Sequence, residues 1–147
     1  MHNPARILIA DDNRVNRLKL EHGVQQQGHE AYTVENGREA VQALQAAPFD
    51  LLLLDINMPE ITGIEFVKMM RQLPWLVFTT AYSSYAVESY ELNAVDYLLK
   101  PISFDRFSIA INKVLSLKRL TSAGGTQNDA HIFVKTDGRL VRINLAD

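Results

Sequence analysis

Short apolar runs alternate along the chain with longer stretches of helical spacing. Arg6–Ala10 (RILIA), Phe49–Leu54 (FDLLLL), Trp75–Thr79 (WLVFT) and Val95–Leu98 (VDYL) read as strands. Leu51–Leu54 is apolar without interruption, as expected of a strand covered on both faces of a parallel sheet. His29–Val34 is a weaker strand, suited to an edge. Between them lie amphipathic windows. Phe104, Phe107, Ile111 and Val114 make a stripe behind a candidate N-cap, Ser103. Asn36–Ala46 keeps Ala40, Val41 and Leu44 together. Thr62–Arg71 does the same with Ile64, Val67 and Met70 or the stem of Arg71, and the ragged Arg14–Gln27 offers Leu20, Val24 and Gln27. Strands alternating with helices predict an α/β fold, a parallel sheet with helices on both sides.

After Leu117 the pattern changes. Thr121–Ala130 (TSAGGTQNDA) has the composition of a flexible linker. His131–Thr136 and Arg139–Asn144 then alternate apolar and polar residues around Asp137-Gly138, which predicts a short C-terminal β-hairpin. The organisation expected is a domain over 1–117, a linker over 118–130, and the beginning of a second unit over 131–147.

Composition narrows the chemistry. The 147 residues include no cysteine, which excludes disulfide scaffolds, thiolate metal sites and cysteine nucleophiles. No apolar run is long enough to span a bilayer, and the Met1-His2-Asn3-Pro4 start lacks a signal-peptide layout. A cytoplasmic setting with no membrane contact is the expectation. The net charge of −2 conceals a split: residues 1–117 carry ten basic and fourteen acidic side chains, and residues 118–147 carry five and three.

Ligands of open parallel sheets bind beyond the carboxyl ends of the strands, so the residues just past each strand carry the functional signal. The first strand runs into Asp11-Asp12, the third into Asp55, the fourth into Thr79-Thr80-Ala81 and the fifth into Lys100-Pro101. Three carboxylates on one rim repel unless a cation sits among them. All-oxygen donors without His or Cys suit a hard ion, with Mg²⁺ the leading candidate. Such an ion also neutralises an incoming phosphoryl group, which a carboxylate can accept as a nucleophile. Taken singly, each piece has a plainer reading: an Asp pair as a helix cap, Lys-Pro as a strand exit, Thr80 as a backbone partner, Tyr97 as core. The four histidines are scattered without metal spacing. The ordered set of strand-end residues is what points to phosphoryl chemistry.

The segments LIADDN, DLLLLDINMPEITGIEF, VFTTAY and AVDYLLKP resemble, in order, the signatures of bacterial two-component response-regulator receiver domains over residues 5–117. The resemblance implies a flavodoxin-like (CheY-like) doubly wound sheet of five parallel strands, order 2-1-3-4-5, with five helices. It implies Asp55 as phosphoacceptor from a sensor histidine kinase. Asp11, Asp12, Asp55 and the Asn57 backbone carbonyl would bind Mg²⁺. Thr80 would be the switch hydroxyl, Lys100 the phosphate-contacting lysine and Tyr97 the switch aromatic. Phosphorylation would then alter the surface of helix Ser84–Leu92, the fifth strand and the last helix. TAYSSYAVESYELNAVDYLLKPISFDRF resembles the LytTR (LytR/AlgR) subgroup, and HIFVKTDGRLVRINLAD the opening of its DNA-binding output domain. That implies transcription regulation, with DNA bound only through a full-length output domain. The alternative is a receiver acting through protein contacts alone.

Three finer expectations attach to this resemblance. The stretch from Gly63 to Thr80 is short for such a domain, which clips the third helix or the loop after it. Asn57 and Tyr82 flank the approach of water to Asp55, so Tyr82 would lengthen the phosphorylated lifetime. Tyr85, Glu88, Tyr90, Asp105, Arg106 and Lys113, or the hairpin edge, are candidate surfaces for a homodimer. A phosphohydrolase of the haloacid dehalogenase type fits poorly, because the second residue after Asp55 is Asn57 and not another Asp; a switch and not an enzyme is expected.

Overall fold

Five strands form one parallel sheet: β1 (Arg6–Ala10), β2 (Glu30–Val34), β3 (Leu51–Asp55), β4 (Trp75–Thr80) and β5 (Asp96–Leu99), in the order β2-β1-β3-β4-β5. The computed structural model describes residues 4–86, 91–124, 131–136 and 139–144. Four helices lie among the described residues: α1 (Arg14–Gln26), α2 (Gly37–Ala46), α3 (Gly63–Met69) and α4 (Phe104–Gly124). The expected helix Ser84–Leu92 falls partly outside them; Ser83–Tyr85 is a 3-10 turn, and Ala86 and Glu91 are helical.

The period-two alternation of the strands builds two cores. Ile7, Ile9, Leu51, Leu53, Val77 and Leu98 face α1 and α4 through Leu20, Val24, Phe107, Ile111 and Val114. Leu8, Ala10, Leu52, Leu54, Leu76 and Phe78 face α2 and α3 through Ala40, Ile64 and Phe66. Strands this continuously apolar need helices on both faces, which explains the unbroken burial of Leu51–Asp55. β2, at the edge, pairs on one side only and leaves Tyr32 and Thr33 exposed.

The helix starts are set by side-chain caps. Asn13, Asn36 and Thr62 each accept a backbone N–H three residues on, and Thr62 with Glu65 forms a capping box. Ser103 caps α4 by accepting the Arg106 N–H. Within the Gly63–Thr80 stretch, α3 has seven residues and ends at Met69.

Four expectations need correction. Phe104 is half exposed, and the inward stripe of α4 is Phe107, Ala110, Ile111 and Val114. The last helix does not stop at Leu117: residues 118–124 of the expected 118–130 linker are helical. Leu115, Lys118 and Leu120 sustain helix propensity, Lys118 pairs with Asp50 at 3.2 Å, and the Thr121 hydroxyl donates to the Leu117 carbonyl. Tyr85 is half buried against the α2–α3 core, not free on the surface. Arg106 and Lys113 are engaged within their own chain, on Asp96 of β5. Beyond α4, β6 (His131–Thr136) and β7 (Arg139–Asn144) pair antiparallel in a separate two-stranded sheet. The Asp137-Gly138 turn lies outside the described residues, as do Glu88 and Tyr90.

Candidate functional site

The parallel register brings the ends of β1, β3, β4 and β5 to one rim. Asp55 pairs with Thr79 across β3–β4, and Thr80 with Leu99 across β4–β5, so the next residue, Lys100, emerges beside them. Asp11, Asp12 and Asp55 each offer a carboxylate oxygen within a set spanning at most 4.8 Å. Asp11 and Asp55 are buried, whereas Asp12 is exposed. The Lys100 ammonium lies 3.0 Å from Asp11 Oδ2 and 3.4 Å from Asp55 Oδ1.

The loops are shaped to hold this arrangement. Asp11 Oδ1 accepts the Asn13 N–H at 2.8 Å, and its backbone carbonyl accepts from Arg17 Nη1 at 2.8 Å. Asp55 Oδ1 accepts the Asn57 N–H at 3.2 Å. Below it, the start of α3 approaches so closely that a Cβ on Gly63 would sit 2.6 Å from the Asp55 carbonyl oxygen. Gly63 is a residue that pattern reading passed over; a glycine at the first position of a helix shortly after the acidic loop was the available signal. Its N–H donates to the Ile56 carbonyl at 2.9 Å, fixing the loop that carries Asp55.

Electrostatically the cluster is under-neutralised, with three carboxylates and one ammonium among the described residues. Burial, and after it the Asp11 carboxylate, push the Asp55 carboxyl from 3.8 up to about 6, against the lowering effects of Lys100 and the Asn57 N–H. Asp11 Oδ2 is buried beside Lys100, and among the described residues no hydrogen-bond donor is aligned on it. A hard cation would satisfy that oxygen and offset the repulsion, so the residues present fit Mg²⁺.

Thr80 and Tyr97 stand next to the cluster. The Thr80 hydroxyl donates to Asn57 Oδ1 at 2.8 Å and accepts the Tyr82 N–H at 3.2 Å. The Tyr97 hydroxyl donates to the Tyr82 carbonyl, and partial burial pushes its phenol up. Tyr82 itself is exposed. All seven expected site residues are therefore gathered on one rim, with Tyr97 at its margin.

A second buried acid was missed. Asp96, at the start of β5, is fully buried and accepts from Arg106 Nη1 and Nη2 at 2.8 and 2.6 Å, from Lys113 Nζ at 3.2 Å and from the Tyr97 N–H at 2.8 Å. Burial alone would raise this carboxyl, but the Arg106 hydrogen bond, followed by the Tyr97 N–H and the Lys113 charge, outweighs it and leaves it lowered. Arg106 and Lys113, which sequence offered for pairing between chains, instead bind helix α4 to β5. The two cations stand seven residues apart on one face of α4, a spacing that fits a solvated surface equally well. Of the histidines, His29 is buried and accepts the Ala5 N–H through Nδ1 at 2.9 Å, and His22 is exposed.

Comparison with known proteins agrees with this picture. Residues 7–112 match the response regulator receiver domain family. The chain is 36% identical over 149 residues to the sensory transduction protein LytR of Streptococcus agalactiae, covering 97% of this chain and 60% of that protein. It is 36% identical over 131 residues to the transcriptional regulatory protein LytR of Staphylococcus aureus, covering 84% of this chain and 53% of that protein. The chain thus spans only a little over half the length of these relatives. Among solved structures, the response regulator TrrA of Thermotoga maritima, in complex with Mg(2+)-BeF, is 34% identical with a TM-score of 0.69, over 75% of this chain and 98% of that one. The sheet order, the strand-end acidic cluster and these matches together identify the chain as a member of the response regulator receiver domain family.

Proposed function

We propose that Asp55 accepts a phosphoryl group from the phosphohistidine of a sensor histidine kinase. An Asp55 carboxylate oxygen attacks phosphorus and the P–N bond breaks; the imidazole, protonated on its other ring nitrogen, leaves neutral with the P–N electron pair, and an acyl phosphate forms on Asp55. The observation that carries this reading is the pairing of a buried, under-neutralised Asp55 with a single cation, Lys100, 3.4 Å away. Asp11, Asp12, Asp55 and the Asn57 backbone carbonyl would hold Mg²⁺, which when bound supplies charge neutralisation for the transferred group. Lys100 is positioned to contact a phosphoryl oxygen. Thr80 contributes a hydroxyl that can donate to another, and Tyr97 then turns inward into the space Thr80 leaves. The differential contacts of Thr80 and Lys100 with the phosphoryl group bias the two arrangements.

In the whole protein the switched surface would control a DNA-binding output of the LytTR type, with residues 131–147 belonging to its beginning. The likeness to LytR-type regulators supports this reading. The test is labelling by acetyl phosphate with Mg²⁺: the parent incorporates one phosphoryl group per chain, Asp55→Ala none. Full labelling of Asp55→Ala removes the assignment.

A further inference from the structure

We propose that the Asn57 side chain is a latch that holds Thr80 in the unphosphorylated arrangement, and that Tyr82 carries its release to Tyr97. The inference rests on the reading of Asp55 as phosphoacceptor and adds a role for a side chain beyond the backbone carbonyl of the same residue.

A threonine hydroxyl has one proton to donate. In this structure it is spent on Asn57 Oδ1, at 2.8 Å. Thr80 is fully buried, so the hydroxyl cannot exchange that acceptor for bulk water. Donation to a phosphoryl oxygen on Asp55 and donation to Asn57 therefore exclude each other. The Asn57 amide competes with the phosphoryl group for the same proton, and it does so from the loop that carries Asp55.

The contact does not end at Thr80. Its oxygen accepts the Tyr82 N–H at 3.2 Å, and the Tyr82 carbonyl accepts from the Tyr97 hydroxyl. Tyr82 thus contributes one backbone group to Thr80 and the other to Tyr97. Withdrawal of Thr80 towards Asp55 frees the Tyr82 N–H, and the segment that pins the Tyr97 phenol loses its anchor. One chain of hydrogen bonds, Asn57–Thr80–Tyr82–Tyr97, holds both switch side chains in the resting arrangement.

Deleting an interaction present only in the resting arrangement raises the population competent to bind a phosphoryl mimic. The test titrates beryllofluoride in excess Mg²⁺ against the parent and Asn57→Ala, followed by NMR of the Tyr97 ring. One hydrogen bond removed from one side of the equilibrium makes Asn57→Ala bind about two- to tenfold tighter. Unchanged or weaker binding overturns the latch. In a Thr80→Val background, which has no proton to compete for, the gain from Asn57→Ala disappears; a gain of the same size there also overturns it. Should the parent fail to bind the mimic, or Asp55→Ala bind it equally well, the phosphoacceptor reading itself falls, which is a separate outcome.

Discussion

Two buried acidic centres lie on the same sheet and differ in their charge count. At the strand-end rim, Asp11 and Asp55 share one lysine, with Asp12 close by. On the β5–α4 side, Asp96 alone takes two cations and a backbone N–H. The first carboxyl is held up near 6 and the second is held below its ordinary range. Burial acts on both in the same direction, so the stoichiometry of partners decides the sign. A centre with charge left unmatched suits a cation, and in the proposed reading a phosphoryl group as well. A centre with its charge over-matched is a fastener.

The sharpest way to break this contrast is to remove the fastener's acid. Asp96→Asn leaves Arg106 and Lys113 without their anion and should cost about 2–4 kcal/mol at neutral pH, reduced from a wholly buried pair because both cations reach solvent. Because the folded carboxyl is lowered, this stability is present above its unfolded value of 3.8 and is lost as pH falls through the folded value. Urea denaturation at pH 7 and under acid measures both; equal stability of variant and parent at pH 7 would end the contrast.

Asp55→Asn should act with the opposite sign. The folded carboxyl is raised, so its favourable contribution is present below 3.8 and disappears as pH rises through about 6. The variant gains on the parent across that interval and stays about 1–3 kcal/mol more stable above it in the presence of a chelator. Added Mg²⁺ narrows the gap by stabilising the parent. Denaturation curves at pH 5 and 7.5, with and without Mg²⁺, decide it.

The smallest effect refines the fastener. Lys113 is half exposed and second to a two-pronged Arg106 contact on Asp96, so Lys113→Ala should change stability by less than about 1 kcal/mol. A loss as large as that of Asp96→Asn would mean that Lys113, and not Arg106, carries the pair.

These two centres were unequally legible in the sequence. The rim could be read because parallel strands end at one edge, so Asp11, Asp55, Thr80 and Lys100 converge once the strands are located. The inward faces of α1 and α2 were legible from apolar spacing for a similar reason. Asp96 was invisible because its partners stand 10 and 17 residues downstream, on a helix whose charged face reads equally well as solvated surface. Phe66 was passed over between Ile64 and Val67, although it is among the most buried side chains of the α2–α3 core. The extent of α4 was misread at Thr121, where polar composition suggested a linker; there the side chain bonds back to the helix carbonyls instead.

The length of α4 has a mechanical consequence. From Phe107, packed in the core, the helix continues to Gly124, about 25 Å at 1.5 Å per residue. Arg106 and Lys113 fasten its first half to the strand that bears Tyr97 and leads into Lys100. Beyond Val114, the last buried residue of α4 among those described, about 15 Å of helix runs on, so a tilt of about 5° about that point sweeps the far end through about 1 Å. The helix is a lever whose short arm is fastened to β5, so in the proposed reading a small shift of that strand would become a larger displacement at its tip.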